Sequence, residues 1–308
     1  MDPDDQTASL MTPAKLAQVS AARAPVSPSA FLDQMAADVG HQHVRRLAEL
    51  RAALEREARA SSAASVRPPL EELAQALPQV DFGLLEPRGW WAGLTGKNRS
   101  AGAVFAAGVD AAEGAARSVG AGVGAAQKAQ QPHAVTADRA LVEVEVEYQA
   151  LDRLIDQGAR WLQTMRSQLQ QRGDPGALDA NARRQVDEDA ARCELLVSRL
   201  KALRAAAAAS QQARQQALAT AERRSELTRS TLQAVASEVT GWRSRLSALA
   251  AAAAEGRAAG RLDAAREAHE QLQRRLAAVL ADCEQLRSHE AALLDALDAM
   301  RVQLDAVA

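Results

Sequence analysis

The sequence predicts an all-α protein, an elongated antiparallel coiled-coil helical bundle preceded by a disordered N-terminal tail. Three observations carry this. First, the 308-residue chain is 47% hydrophobic but only 3% aromatic, and much of its apolar count is alanine. Alanine buries little area, so a globular core would lack the bulky side chains that supply most burial energy. Ala, Gln, Glu, Arg and Leu are strong helix formers, which excludes an all-β chain and argues against an α/β sheet. Second, apolar residues recur at alternating steps of three and four through most of the second half, the seam of a coiled coil. Third, Gly/Pro clusters interrupt that pattern where antiparallel helices would need turns.

Residues 1–26 are rich in Pro, Ser, Asp and Ala without periodicity and are expected to form the tail. Residues 27–80 should hold N-terminal helices and a linker. Ser27-Pro28 has the form of an N-cap followed by proline at the first helical position. A helix is expected from Pro28 to Ala60 on a stripe of Phe31, Met35, Val44, Leu47, Leu50 and Leu54, with Gly40 placed to break it. Ser61–Pro69 reads as a linker and Leu70–Leu77 as a short helix. Residues 81–136 join a Gly/Trp loop, DFGLLEPRGWWAGLTGKNRS, to a small-residue helix over 101–129. The internal glycines of that helix each cost about 1 kcal/mol relative to alanine, so it should be marginal.

The long bundle should occupy 137–308. Its first helix carries Leu141, Val144, Tyr148, Leu151, Ile155, Gly158, Leu162, Met165 and Leu169 at the heptad spacing, and Gly173-Asp174-Pro175-Gly176 stops it. The second helix has Val186, Ala190, Cys193, Val197 and Leu200 on its seam. Later it has Leu218, Ala221, Ser225, Thr228, Leu232, Val235, Val239, Trp242, Leu246 and Leu249. Between these halves the register meets Arg204, Gln211 and Arg214, so a defect is expected near 203–217. After Glu255–Gly260 the third helix repeats the pattern without a break from Leu262 to Val307. The middle helix would run from Leu178 to Ala254, roughly 115 Å at ~1.5 Å per residue. The first helix should cover its first half and the third helix its second.

The formal net charge is −2, so the chain has no overall electrostatic footprint for nucleic acid or an anionic membrane. Only four of the 37 basic residues are lysine. Leu203–Leu246 holds seven arginines and three acids, whereas Arg261–Ala308 holds six basic and nine acidic residues. Complementary charge between packed helices is the simplest account. Cys193 and Cys283, far apart within helical patterns, make neither a disulfide framework nor a zinc site and fit the reduced cytoplasm. The N-terminus has no secretory h-region, and no apolar run is long enough to span a membrane.

Catalytic, cofactor and metal sites are all expected to be absent. Gly93–Asn98 resembles a phosphate loop, but Trp91 stands where the first glycine is required and Asn98 replaces the Ser/Thr. His41 and His43 lie on different helix faces and make no metal pair; Asp38 shares a face with His41, but two ligands beside the break at Gly40 make a weak site. Two features exceed background. Trp90 and Trp91 place two large rings in one Gly-rich loop, where they either plug an internal junction or anchor a partner. His269 and Glu290 are polar residues on the third seam, read as partly solvated, with a pH-sensitive register as the sharper alternative for His269. Glu290→Leu is therefore expected to leave stability unchanged or raise it.

The order of these segments also resembles a known family. The DFGLLEPRGWWAGLTGKNRS turn is followed by LVEVEVEYQALDRLIDQGARWLQTM. A long helix then begins ARCELLVSRLKALRAAAAASQQA and continues ERRSELTRSTLQAVASEVTGWRSRLSALA. Over about residues 81–250 this is similar to the bacterial toxic-anion (tellurite) resistance family, TelA/KlaA. The resemblance implies a non-enzymatic, cytoplasmic stress-associated protein that acts through contacts with other proteins. It carries no catalytic residue with it. The alternative is a coiled-coil scaffold or structural protein unrelated to anion stress. Oligomerisation and a membrane-surface role for 101–129 are further readings; nucleic acid is not an expected partner.

Overall fold

The computed structural model describes residues 40–60, 63–86, 97–172, 179–254 and 259–307. The expected tail, Phe31 and Met35 lie outside these residues. Helix α1 spans His41–Arg59 and α2 spans Ala63–Ala76. Two short 3₁₀ turns follow, Leu77–Gln79 and Phe82–Leu85. Helix α3 spans Lys97–Gln171, α4 Ala180–Glu226, α5 Leu232–Ala254 and α6 Ala259–Asp305. A π-turn, Leu227–Thr231, joins α4 to α5 without interrupting the helical course. Among the described residues there is no strand, and the long helices pack against one another as an antiparallel bundle.

Three elements differ from expectation. The 101–129 helix and the helix beginning near 137 are one helix, α3, which runs through Pro132. Its buried residues Phe105, Val109, Ala112, Ala116, Val119, Val123 and Ala126 continue the steps of three and four upstream of Leu141. The seam was there, with Ala112, Ala116 and Ala126 standing among Phe and Val. Burial against neighbouring helices offsets the glycine cost, and close packing excludes a side chain at one glycine and crowds a second. A Cβ on Gly108 would lie 2.7 Å from the Gln79 carbonyl oxygen, and one on Gly122 would lie 3.2 Å from Pro69.

The second difference is α2, which begins within the expected linker and holds Pro68 and Pro69 inside it. Neither proline can donate the usual backbone hydrogen bond. What holds the turn is its buried stripe of Val66, Leu70, Leu73 and Leu77.

The third concerns the middle helix. The seam runs without a defect through 203–217, as Leu203, Ala206, Ser210, Ala213 and Ala217. The irregularity lies at the π-turn instead. Upstream of it the buried positions are Thr220, Arg224 and Leu227; downstream they are Leu232, Val235, Val239 and Trp242. The step from Leu227 to Leu232 is five residues, because a π-turn accommodates one extra. Leu218 is therefore exposed, and Ala221 and Ser225 are only half-buried, although all three were assigned to the seam. Near the start of α4 the seam is likewise one residue away from expectation, with Asp189 and Leu196 buried rather than Ala190 and Val197.

Backbone contacts group the chain into two compact units. One comprises Met1–Arg46, Glu147–Ala208 and Gln303–Ala308; the other comprises Leu47–Val146 and Ala209–Val302. In the first, α3 and α4 are antiparallel: Arg166 reaches Glu194 at 3.2 Å and Arg172 reaches Asp189 at 3.1 Å. The Asp179 carboxylate caps α4, accepting from the backbone N–H of Asn181 at 3.0 Å and of Ala182 at 2.7 Å. A Cβ on Gly158 would come 2.8 Å from Leu200, so glycine is what lets these helices approach. Gly40, with φ of +77°, turns the chain into α1, where a side chain would also meet Leu203.

The second unit holds a hydrophobic core that includes α2, the 3₁₀ turns and parts of α3, α5 and α6. Here α3 runs antiparallel to the middle helix, with Glu145 3.1 Å from Arg214 and Glu113 3.7 Å from Arg243. Helix α3 thus accompanies the middle helix in both units, not over the first half alone. Every expected seam position from Leu262 to Val307 is buried, His269 and Glu290 included.

Candidate functional site

The second unit holds a layer of buried polar groups beside the π-turn. Because the π-turn resets the seam, the upstream register carries Arg224 inward rather than Ser225. Its guanidinium Nη2 donates to Glu290 Oε1 at 2.6 Å, and the two side chains are only 8% and 9% exposed. Nη1 donates to the Glu57 backbone carbonyl at 3.2 Å. The Nε–H is buried with no hydrogen-bond partner among the described residues. The Glu57 carboxylate meets His133 Nδ1 at 2.6 Å, so α1, α3, α4 and α6 all contribute to the layer. Taking two ions out of water costs several kcal/mol each, which close pairing must offset. This geometry supplies the pairing.

The π-turn is tied to α3 as well. Gln127 Nε2 donates to the Thr228 carbonyl at 3.4 Å, and the Thr228 hydroxyl donates to the Arg224 carbonyl at 2.8 Å. Above this layer a groove of about 970 Å³ opens between α3 and the π-turn. Its walls carry the amides of Gln127, Gln131 and Gln233, and two apolar side chains stand exposed there, Val135 at 68% and Leu218 at 43%.

A carboxylate on Nδ1 of a histidine is the orienting half of a general-base arrangement. The other half is a hydroxyl or thiol on the opposite nitrogen. Ser225 lines the same groove, yet among the described residues it makes no hydrogen bond to His133. His43, set aside as a metal ligand, is paired with Glu147 at 2.6 Å in the other unit. Among the described residues no cluster of His, Cys, Asp and Glu is grouped to hold a metal ion. None of the helices searched is long and apolar enough to cross a membrane.

Of the residues singled out in the sequence, Trp90 and Trp91 lie outside the described residues. His269 and Glu290 are both buried, which corrects the expectation of partial solvation. Glu290 belongs to the polar layer. His269 lies further along α6, where Trp242 Nε1 donates to its Nδ1 at 3.2 Å and Phe82 packs edge-on at 5.0 Å. Accepting at Nδ1 fixes the neutral ring with its proton on Nε2. Burial pushes its pKa below the ordinary histidine value, against a smaller opposite effect of the Leu77 backbone. The two residues do not share a site.

Arg224, Glu57 and His133 were not singled out. Counting steps of three and four forward from Leu203 does reach Arg224, so its signal was present. The expected charge complementarity is seen between the middle helix and α6, in Arg224–Glu290 and in Arg223–Asp282 at 3.4 Å. No protein-family model, curated protein or solved structure matches this chain.

Proposed function

We propose that this chain is a non-catalytic cytoplasmic protein that acts through contacts with other proteins, its helical bundle serving as the scaffold. The observation that carries this reading is the groove beside the π-turn. Its deepest charges are spent on one another, and what it offers outward is apolar surface at Val135 and Leu218 framed by amides. An exposed apolar patch rimmed by polar groups is the makeup of a protein-contact surface. The setting, tolerance of tellurite and related stress, rests on the resemblance over residues 81–250.

The test pairs Val135→Asp with Leu218→Asp. Both side chains are exposed, so the double variant should melt with the wild type. In cells it should lose the neighbours found by proximity labelling and should lower tellurite tolerance. Unchanged neighbours and tolerance would remove the reading. Loss of tolerance in His133→Gln with labelled neighbours intact would point to chemistry at that histidine instead.

A further inference from the structure

A second groove, of about 710 Å³, lies between α5 and α6 within the same unit. Three guanidinium groups line it, those of Arg245, Arg274 and Arg275, against one carboxylate, Glu238. Arg275 Nε is 3.8 Å from Glu238, outside hydrogen-bond reach, and it is buried without a hydrogen-bond partner among the described residues. Arg245 and Arg274 are exposed and have no ion pair among the described residues, whereas Arg214, Arg223, Arg224 and Arg266 of this unit each meet an acid of another element. The apolar lining is shallow. Ala268 and Leu272 lie beneath, and above Gly241 a Cβ would meet nothing within 4 Å.

We infer that this groove docks an acidic helical segment of a partner protein. The inference rests on the protein-contact reading and names the partner's chemistry. Two antiparallel helices leave a furrow whose shape suits a third helix, and the open space over Gly241 lets its backbone come close. Guanidinium forks match carboxylates with paired hydrogen bonds, so Asp or Glu on the incoming helix would satisfy Arg245, Arg274 and the unmet Nε of Arg275. A nucleic acid fits poorly. Among the described residues no aromatic side chain lines the groove for base stacking.

The probe is a fluorescently labelled, Glu-rich amphipathic helical peptide, titrated into the full chain and followed by anisotropy. Its Lys-for-Glu counterpart and a single-stranded oligonucleotide are run in parallel. The Glu-rich peptide should bind, more weakly as salt rises, and the other two should not. The double variant Arg245→Glu and Arg274→Glu should weaken binding by about tenfold or more, since hydrogen bonds to charged groups are among the stronger ones. Gly241→Leu fills the furrow from an exposed position without reaching the core, so it should block the peptide in a protein that melts like the wild type. Equal binding of the Lys and Glu peptides, wild-type binding by both variants, or preferential binding of the oligonucleotide would each overturn the inference. If the peptide fails while Val135→Asp/Leu218→Asp still loses its cellular neighbours, the protein-contact reading stands and this groove is not its surface.

Discussion

Replacing Glu290 by leucine puts two opposed effects into one measurement. The leucine adds apolar burial worth about 1.5–3 kcal/mol. Against it, Arg224 keeps its charge at a site where it is nearly inaccessible and retains only the Glu57 carbonyl as partner. Removing one member of a buried ion pair costs about 3–5 kcal/mol. The charge wins, and Glu290→Leu should be destabilising by about 1–3 kcal/mol net, not neutral or stabilising as the seam pattern alone suggests. Arg224→Met should be destabilising for the mirror reason. The double variant should recover to wild-type stability or exceed it by about 1–4 kcal/mol, because a pair replaced by matched apolar groups leaves no stranded ion. Urea unfolding followed by circular dichroism reads all four proteins of the cycle, with midpoints compared at an unchanged slope. Additive single variants with no recovery in the double would show that Arg224 and Glu290 do not form the pair described here.

His269 gives a pH dependence whose sign is fixed. Its folded-state pKa lies below the unfolded value of about 6.5, so the unfolded chain takes up the proton first and stability should fall as pH drops through that value. The urea midpoint should therefore decline on mild acidification, and His269→Leu should flatten that decline; an identical pH profile in the variant would contradict the burial described. Gly158→Ala places a methyl 2.8 Å from Leu200 and should be destabilising by about 1–3 kcal/mol, with Leu200→Ala partly relieving it, as thermal melts will show. Burial pushes the Cys283 thiol up to about 11, and Cys193 is raised by burial and by Asp189, so a thiol reagent at neutral pH should label neither until urea unfolds the chain.

The helical class and the whole seam of α6 were legible because bulky apolar residues mark nearly every turn of that helix. The upstream half of α3 was not, although its period is the same. There Ala112, Ala116 and Ala126 stand among Phe and Val on the seam, the glycines between them argue for a marginal helix, and Pro132 reads as a stop. The site was legible in pieces. Glu290 stood out as a carboxylate on an apolar seam, but its partner did not, because a single extra residue at 227–231 moves Arg224 from the apparent flank to the inside. Glu57 and His133 come from helices whose pairing across the bundle depends on three-dimensional packing rather than on local spacing.

That extra residue has a consequence for how the chain can change length. Elsewhere in these helices, deleting one residue would swing everything beyond it by about 100° and turn its buried face outward. Within Leu227–Thr231 the opposite holds. Removing Ser230 would bring Leu232 to four residues after Leu227, let the wider turn relax to an ordinary one, and leave both flanking seams facing their present neighbours. The middle helix therefore carries one place where a reading-frame-preserving loss of a codon should be harmless to folding, while the same loss one heptad to either side should be ruinous.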